Sequence, residues 1–498
     1  MFFLTVGTFF KFDSNEIQAS PEKIMEASVK NSDKALQINW KILNENITVD
    51  NIEILIKSKS VNHKKKFSAD ETKYSFVEGK HGNGYDISVI AKNGEKIVEK
   101  YDTRAVFLDY DKLPDLPIIS INTRNGKYPT FRMANKPHGV LGATSTDNQY
   151  LECEMVMFHK EKKIANSSGR FRVRGNTSVK YFNKPYRLEL DSASDLLERG
   201  NAYADRDWVL LNQGHSLNTY FVTELANLFN VEWQPRIRYV NLIVNGKWDG
   251  CYLLSESVKR SRHRLNITRS GYIFEYDPYF WKPNVTYFRT SHTPKHIGFT
   301  FKYPKDKNIS TNEINNLKQY LQEFEDFLEN KDERYLDYID MDSFSTWIVV
   351  HDIIGTLDGA GSNMYFYKYD FDLENPTSTK IKRGPLWDFD SSFRVSDDWS
   401  EIHRHAAYLK QLFQIQSFRQ AYKDKFNSVK KTIVPELKAK SDEFKKTQAS
   451  ALQESWALHA ALWDQSTPNV EKDIRKDLKF LKNKIKWINN RLKTDNWE

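Results

Sequence analysis

The hydrophobic pattern of this 498-residue chain changes period once, and that change bounds what it can fold into. As far as about Leu254, apolar residues come in short runs of alternation: Leu36-Gln-Ile-Asn-Trp40, Tyr85-Asp-Ile-Ser-Val-Ile90, Gly169-Arg-Phe-Arg-Val-Arg174, Tyr186-Arg-Leu-Glu-Leu190. Beyond Ser310 they recur at steps of three and four, as in Ile314, Leu317, Leu321, Phe324 and Leu328. The first pattern predicts half-buried strands and the second amphipathic helices. One helix, around Leu217 to Phe229, interrupts the β-rich half. A β-rich half followed by a helical half predicts an α+β fold. No internal repeat or low-complexity tract is present.

The length is enough for about three domains. Residues 20–113 read as a small all-β sandwich, with turn signals such as Gly82-Asn-Gly84 and Asn93-Gly94 between the runs. The run Gly84 to Gly94 resembles the late strands of fibronectin type III or immunoglobulin-like domains. Asp111-Lys-Leu-Pro-Asp-Leu-Pro117 is a Pro-punctuated linker, and residues 114–498 form the larger part: β-rich over about 114–258, helical over about 310–498. Residues 1–19 are set apart. Met1 to Phe10 is short and apolar, like the core of a secretory signal, though it lacks the basic residues that should precede it. We therefore expect a secreted or cell-surface protein. No later stretch is long and apolar enough to span a bilayer.

The net charge of +8, from 74 basic and 66 acidic residues, is spread along the chain. It weakly favours acidic partners such as phosphates and gives no reason to expect nucleic-acid binding, which shows a clustered basic stripe. His63-Lys-Lys-Lys66 is the one short basic run, expected in a solvated turn or strand end. Two cysteines, Cys153 and Cys251, provide neither a disulfide framework nor a zinc site; one bridge or two buried thiols are both open.

Two segments carry the chemistry: Asp358-Gly-Ala-Gly-Ser-Asn363 and Trp387-Asp388-Phe389-Asp390. Between them Met364 to Tyr369 and Ile381 to Trp387 read as the strands of a hairpin whose turn spans Asp370 to Lys380. Antiparallel pairing brings Asn363 beside Asp388. The resulting Asp, Asn and Asp oxygens suit a hard cation such as Mg²⁺, whose shell phosphate usually completes. Residues of these types also favour turns for backbone reasons alone. Convergence of several acidic groups at one end of a hairpin argues instead for a metal site at Asn363, Asp388 and Asp390. The order resembles that of protein kinases, where an Asp followed five residues later by Asn precedes an Asp-Phe-Gly segment. His351-Asp352 imitates part of this, but residue 357 is Leu where Asn would be needed.

A second constellation is Arg172-Val-Arg174-Gly175-Asn176 through Lys184-Pro185-Tyr-Arg187. Arg174, Asn176, Lys184 and Arg187 could surround a polyphosphate. An ordinary hairpin with a charged solvent face is equally compatible. Glu256 ends the apolar strand after Gly250. It could pair with Lys184, contact nucleotide, or simply cap the strand at the surface.

With these segments in view the chain resembles the spore-coat CotH kinase family from about Leu116 to Leu492. The matching elements are Leu116 to Ile121; Arg172 to Thr177 with Asn183 to Leu188; Asp207-Trp-Val-Leu-Leu-Asn212; Val244-Asn-Gly246 with Gly250 to Glu256; Asp358 and Asn363; and Leu386 to Asp390. The resemblance implies a two-lobed atypical protein-kinase-like fold, with a β-rich and a helical lobe. It implies transfer of the ATP γ-phosphoryl group to Ser or Thr of a protein substrate, with Mg²⁺ or Mn²⁺. Carried over, Asp358 would accept the hydroxyl proton, Asn363 and Asp388 would hold metal, Asp390 would support them, Lys184 would bind phosphate, and Glu256 would orient Lys184 or lie near the adenine. Two positions depart from the family pattern. Leu217-Asn218 stands where an Arg-Asn pair is common, and Ser391-Ser-Phe-Arg394 follows Asp390 without the usual Gly. A non-catalytic structural or adhesive surface protein, or another ATP-dependent transfer such as AMP addition, are the alternatives.

Overall fold

The computed structural model describes residues 23–134, 137, 144–146, 148–356, 358–359, 363–399, 402–495 and 497. The signal-like segment therefore lies outside the described residues. The chain divides into two compact units, Met1–Phe107 and Leu108–Glu498.

The first unit is all-β. Strands Met25–Ser32, Ala35–Ile42 and Lys73–Phe76 form one antiparallel sheet; Asn62–Ser68, Asn51–Lys57, Gly84–Asn93 and Lys96–Val106 form a second. Alternate residues of both sheets, among them Ile38, Trp40, Ile54, Phe76, Tyr85 and Val89, meet in one core. Tyr85, at the start of its strand, accepts the Lys80 backbone N–H at 3.0 Å, the bond that defines the tyrosine corner of immunoglobulin-like sandwiches. The His63–Lys66 run lies within a strand rather than in a turn, with Lys64 2.9 Å from Glu53.

The second unit is mixed α and β. Seven strands close into a barrel in the order Leu151–His159, Lys162–Val173, Tyr186–Ser194, Asp205–Leu211, Lys247–Glu256, Ile237–Val244, Ile118–Thr123. The pairs are antiparallel except that Ile237–Val244 runs parallel to Ile118–Thr123. Inward residues such as Ile119, Phe171, Leu188, Trp208 and Tyr252 fill the interior. Strand structure then continues past Glu256, over a stretch that the sequence reading left unassigned. Tyr287–Phe288, Gly298–Tyr303, Tyr272–Asp277, Met364–Lys368 and Ile381–Arg383 form a five-stranded sheet. The predicted hairpin is thus embedded, its first strand pairing with both Tyr272–Asp277 and Ile381–Arg383. Its second strand stops at Arg383 instead of Trp387, because Pro385 has no N–H to give the ladder.

The helices of the C-terminal part include Thr311–Glu329, Met341–Ile354, Gln416–Val429, Ile433–Thr447, Ala449–Trp463 and Val470–Lys493. Ser310 and Glu313 form a capping box at the first of these. Helix Ala449–Trp463 joins the helical part to the barrel: Trp456 Nε1 donates to Gly214 O at 2.6 Å, and His459 Nδ1 accepts the Cys251 N–H at 3.1 Å. Cys153 and Cys251 are both buried and free. His351 and Asp352 belong to the helix core. His351 stacks on Trp347, and Asp352 accepts from Tyr422 at 2.8 Å and pairs with His403. Among the described residues no helix is long and apolar enough to cross a membrane.

Candidate functional site

A cleft of about 900 Å³ lies where the barrel, the five-stranded sheet and the Asp358 and Asp388 loops meet. That volume is in the range of small-molecule sites, and polar and charged side chains dominate its walls.

The barrel contributes the Arg172–Arg187 hairpin. Its loop turns at Gly175, whose φ of 107° excludes most side chains and where a Cβ would collide with Ser178 Oγ. The loop is anchored by a reciprocal clamp: Asn183 Nδ2 donates to Asn212 O and Asn212 Nδ2 to Asn183 O, both at 3.0 Å. Two of the resemblance-bearing segments, Asn183–Leu188 and Asp207–Asn212, are thereby locked together. Arg174 reaches the cleft with its guanidinium over the Trp387 ring at 5.5 Å. Asn176 accepts from Lys282 Nζ at 2.6 Å and Thr144 Oγ1 at 2.7 Å.

The two loops contribute the oxygens. Asp358, Asn363, Asp388 and Asp390 all line the cleft. Asn363 and Asp388 both hold left-handed backbone, φ 59° and 63°, which Asn and Asp tolerate better than most residues and which recurs at functional sites. Burial, then the neighbouring Asp390 and Asp358 charges, push Asp388 up to about 7 despite Arg174 and the Gln213 hydrogen bond. Asp390 is also raised, chiefly by burial. Among the described residues no three Asp, Glu, His or Cys side chains form a metal cage by themselves. A cation at Asp388 and Asn363 would therefore need its remaining ligands from phosphate and water.

Gln213 is a residue the sequence did not single out. Its Nε2 donates to Asp388 Oδ1 at 2.8 Å, and its Oε1 accepts from Thr219 Oγ1 at 2.8 Å. Asn218 Nδ2 donates to Asp390 O at 3.1 Å. Leu217, beside it, is buried in the core, so an Arg there would meet an apolar environment. Phe393 carries a φ of 59°, a conformation that a glycine adopts without cost.

The far wall was also missed. Lys302 is 2.9 Å from Glu275; burial, the largest single effect, opposes its charge, but Glu275, Tyr365 and Asp277 together outweigh burial and the net shift is upward. Asp277, raised to about 6 by burial and Glu275, accepts from Thr300 Oγ1 at 3.0 Å. Burial brings Lys282 down to about 8. The one signal that could have found this wall is the charge placed inside apolar runs, as in Phe301-Lys-Tyr303 and Phe274-Glu-Tyr-Asp277.

Three expectations need correction. Lys184 does not face the cleft: its amine donates to Val179 O and Tyr181 O, both at 3.1 Å, because the chain curls back beneath it. Glu256 does not pair with Lys184. It is buried, accepts the Arg236 N–H at 3.0 Å, and pairs with Arg199 at 3.2 Å. Arg187 borders the cleft, but Glu189 at 2.7 Å and Asp207 at 2.8 Å already engage it. No curated protein matches the chain. Residues 171–494, which contain the Asp358 and Asp388 loops and both resemblance-bearing hairpins, match the family described as CotH kinase protein. The match spans more than half of the chain, which therefore belongs to the CotH kinase family, a family of kinase-like proteins.

Proposed function

We propose that this protein is a two-lobed kinase that transfers the γ-phosphoryl group of ATP to Ser or Thr hydroxyls of a secreted or surface protein. The observation that carries the reading is the division of charge in the cleft. Asp358, Asp388 and Asp390 repel one another on one side, while Arg174 and Lys282 line the rest together with the Lys302–Glu275 pair and Asp277. Mg²⁺ or Mn²⁺ held at Asn363 and Asp388 would neutralise both the carboxylates and the phosphate oxygens. Arg174 and Lys282 then offer fixed positive charge to the phosphates, costing no reorganisation during transfer. Asp358 accepts the proton of the substrate hydroxyl as its oxygen bonds to phosphorus and the bond to the ADP oxygen breaks. Gln213 fixes the Asp388 carboxylate, and Asp390 supports the same loop. The extracytoplasmic setting rests on the apolar Met1–Phe10 stretch and the N-terminal sandwich.

Thermal unfolding with ATP, with and without Mg²⁺ or Mn²⁺, tests the site. At about a hundred times the dissociation constant a ligand stabilises by roughly 2.7 kcal/mol. We expect a metal-dependent shift in the wild type and none in Asp388→Ala. A second reading, a member without turnover, is favoured by the strained Phe393 in the loop after Asp390. It predicts no shift with either metal. Mass analysis of a modified substrate separates phosphate from AMP addition.

A further inference from the structure

The net charge is spread less evenly than the sequence reading took it to be. Residues 416–495 hold 18 basic and 10 acidic residues, so this segment alone accounts for the net charge of +8. Within it the imbalance lies on helix Val470–Lys493, which has nine basic and three acidic residues. Its apolar residues Val470, Ile474, Leu481 and Ile488 are buried in the core, and Asn469 caps it by accepting the Lys472 N–H at 2.8 Å. Lys472, Lys476, Lys479, Lys482, Lys486 and Lys493 are all exposed. At about 100° per residue they fall within roughly a third of the helix circumference, in a row ~32 Å long at 1.5 Å per residue. The three acids of the helix, Glu471, Asp473 and Asp477, lie outside that arc.

The lysines of the neighbouring helix are placed differently. On Ile433–Thr447, Lys438 and Lys445 pair with Asp442 at 2.5 and 3.2 Å, and Lys440 pairs with Glu443 at 3.7 Å. Among the described residues, none of the six lysines on Val470–Lys493 forms an ion pair; within that helix Arg475 pairs with Glu471 at 3.3 Å. Lys472 and Lys476 act on Asp473 without an ion-pair contact. Four successive steps of three or four residues, from Lys472 to Lys486, set like charges side by side, which destabilises a helix taken by itself. A merely solvated face interleaves acids with its lysines, as Ile433–Thr447 does.

We propose that this row of lysines is a docking surface for a flexible phosphodiester polymer of a small polyol. Charge complementarity calls for a linear polyanion, and lysine, a point charge on a flexible stem, asks for no fixed ligand geometry. Spacing selects among polyanions. A three-carbon polyol phosphate repeats every six backbone bonds, twice the peptide repeat, so its charges lie ~7 Å apart when extended. Successive lysines are ~4.5–6 Å apart along the helix, a difference their stems absorb. Asn483 and Asn490, exposed on the same arc, offer amides to hydroxyls and phosphate oxygens. A single nucleic-acid strand is held by aromatic platforms as well as by charge, but Phe480 and Trp487 pack on Phe393 and Trp399, at 5.6 and 5.0 Å. The phosphates of a duplex wind away from a straight row. An anionic bilayer would call for apolar side chains at the rim, and no large apolar side chain is exposed among the described residues of 416–495. Binding here does not rest on phosphotransfer.

The test is fluorescence anisotropy of end-labelled poly(glycerol phosphate) titrated with the full chain at about 0.15 M salt. We expect saturable binding that weakens as salt is raised. The triple variant Lys476→Glu, Lys479→Glu, Lys482→Glu should raise the dissociation constant about tenfold or more, because exposed contacts are weak singly but three are reversed together. Lys30→Glu, Lys41→Glu, Lys57→Glu, at exposed positions of the first unit, changes the net charge equally and should leave the constant within about twofold, since screening confines each charge to its surroundings. Should the first triple not melt cooperatively, Lys479→Ala with Lys486→Ala carries the same test. Equal weakening by both triples overturns the proposal. So does tighter binding of oligo(dT), duplex DNA or phosphatidylglycerol vesicles than of the polymer at equal phosphate. No binding at all also overturns it and leaves a solvated face.

Discussion

The two lysines Lys184 and Lys282 show how a motif can mark a region and still misplace the charge. Lys184 sits in the Lys-Pro-Tyr-Arg element, but its amine is occupied by the Val179 and Tyr181 carbonyls. Lys282, in a stretch with no recognised motif, faces the cleft and donates to Asn176. A lysine offered to phosphate acts as a point charge in a partly desolvated cleft. Lys282→Met should therefore raise the dissociation constant of metal·ATP about tenfold, while Lys184→Met lowers stability and leaves that constant within about twofold. Titration calorimetry on both variants decides it, and the reverse ranking would return the phosphate role to Lys184. The carboxylates and Arg174 were legible and the lysines were not, for a physical reason. Asp358, Asn363, Asp388 and Asp390 sit on tight loops whose residue types are limited by backbone conformation as well as by chemistry. A Lys side chain has four rotatable bonds, and its direction depends on neighbours distant in sequence. Gln213 escaped notice for a related reason, since an amide at a strand end acquires meaning only through Asp388, 175 residues away.

At the scale of elements, the helices and the barrel strands were legible because each buries one face. Helix Thr311–Glu329 shows this in its cap at Ser310 and its apolar stripe. Of the five-stranded sheet, the hairpin strands Met364–Lys368 and Ile381–Arg383 were legible and the other three were not. Gly298–Tyr303 sets Phe299 and Phe301 against Thr300 and Lys302, but over only six residues, and Tyr287–Phe288 is too short to show a period. The same helix carries Glu325 on its buried face. Burial outweighs the Thr290 and Tyr408 hydrogen bonds and raises its carboxyl to about 7, with Tyr408 donating to Oε1 at 2.8 Å. The folded protein therefore holds a proton there that the unfolded chain, with a carboxyl near 4.5, releases earlier. Stability from this group is full below about pH 4.5 and is lost as pH rises through about 7. Glu325→Gln, which cannot ionise, should flatten that part of the Tm profile and raise Tm at pH 8 relative to wild type. Parallel profiles for the two proteins between pH 4.5 and 8 would show that Glu325 ionises without cost.

For the whole molecule, the division at Phe107 separates two cores of different construction. The N-terminal sandwich closes on Trp40, Phe76 and Tyr85, with its own tyrosine corner. The cores of the second unit are built from residues beyond Leu108, and so is every residue lining the cleft. Its barrel has no open edge, and its helices close on the barrel through Trp456 and His459, so its folding information lies within its own sequence. Residues 108–498 produced alone should then unfold cooperatively and show the same metal-dependent ATP shift as the full chain, to within about a degree in the difference between liganded and free Tm. The full chain should show a further transition, sensitive to Tyr85→Phe, that the shorter chain lacks; loss of one buried hydrogen bond there is worth about 1 kcal/mol. An ATP response that vanishes on removal of residues 1–107, from a protein that still melts cooperatively, would mean that the sandwich contributes to the site. The cleft could then no longer be treated as the property of the CotH unit alone.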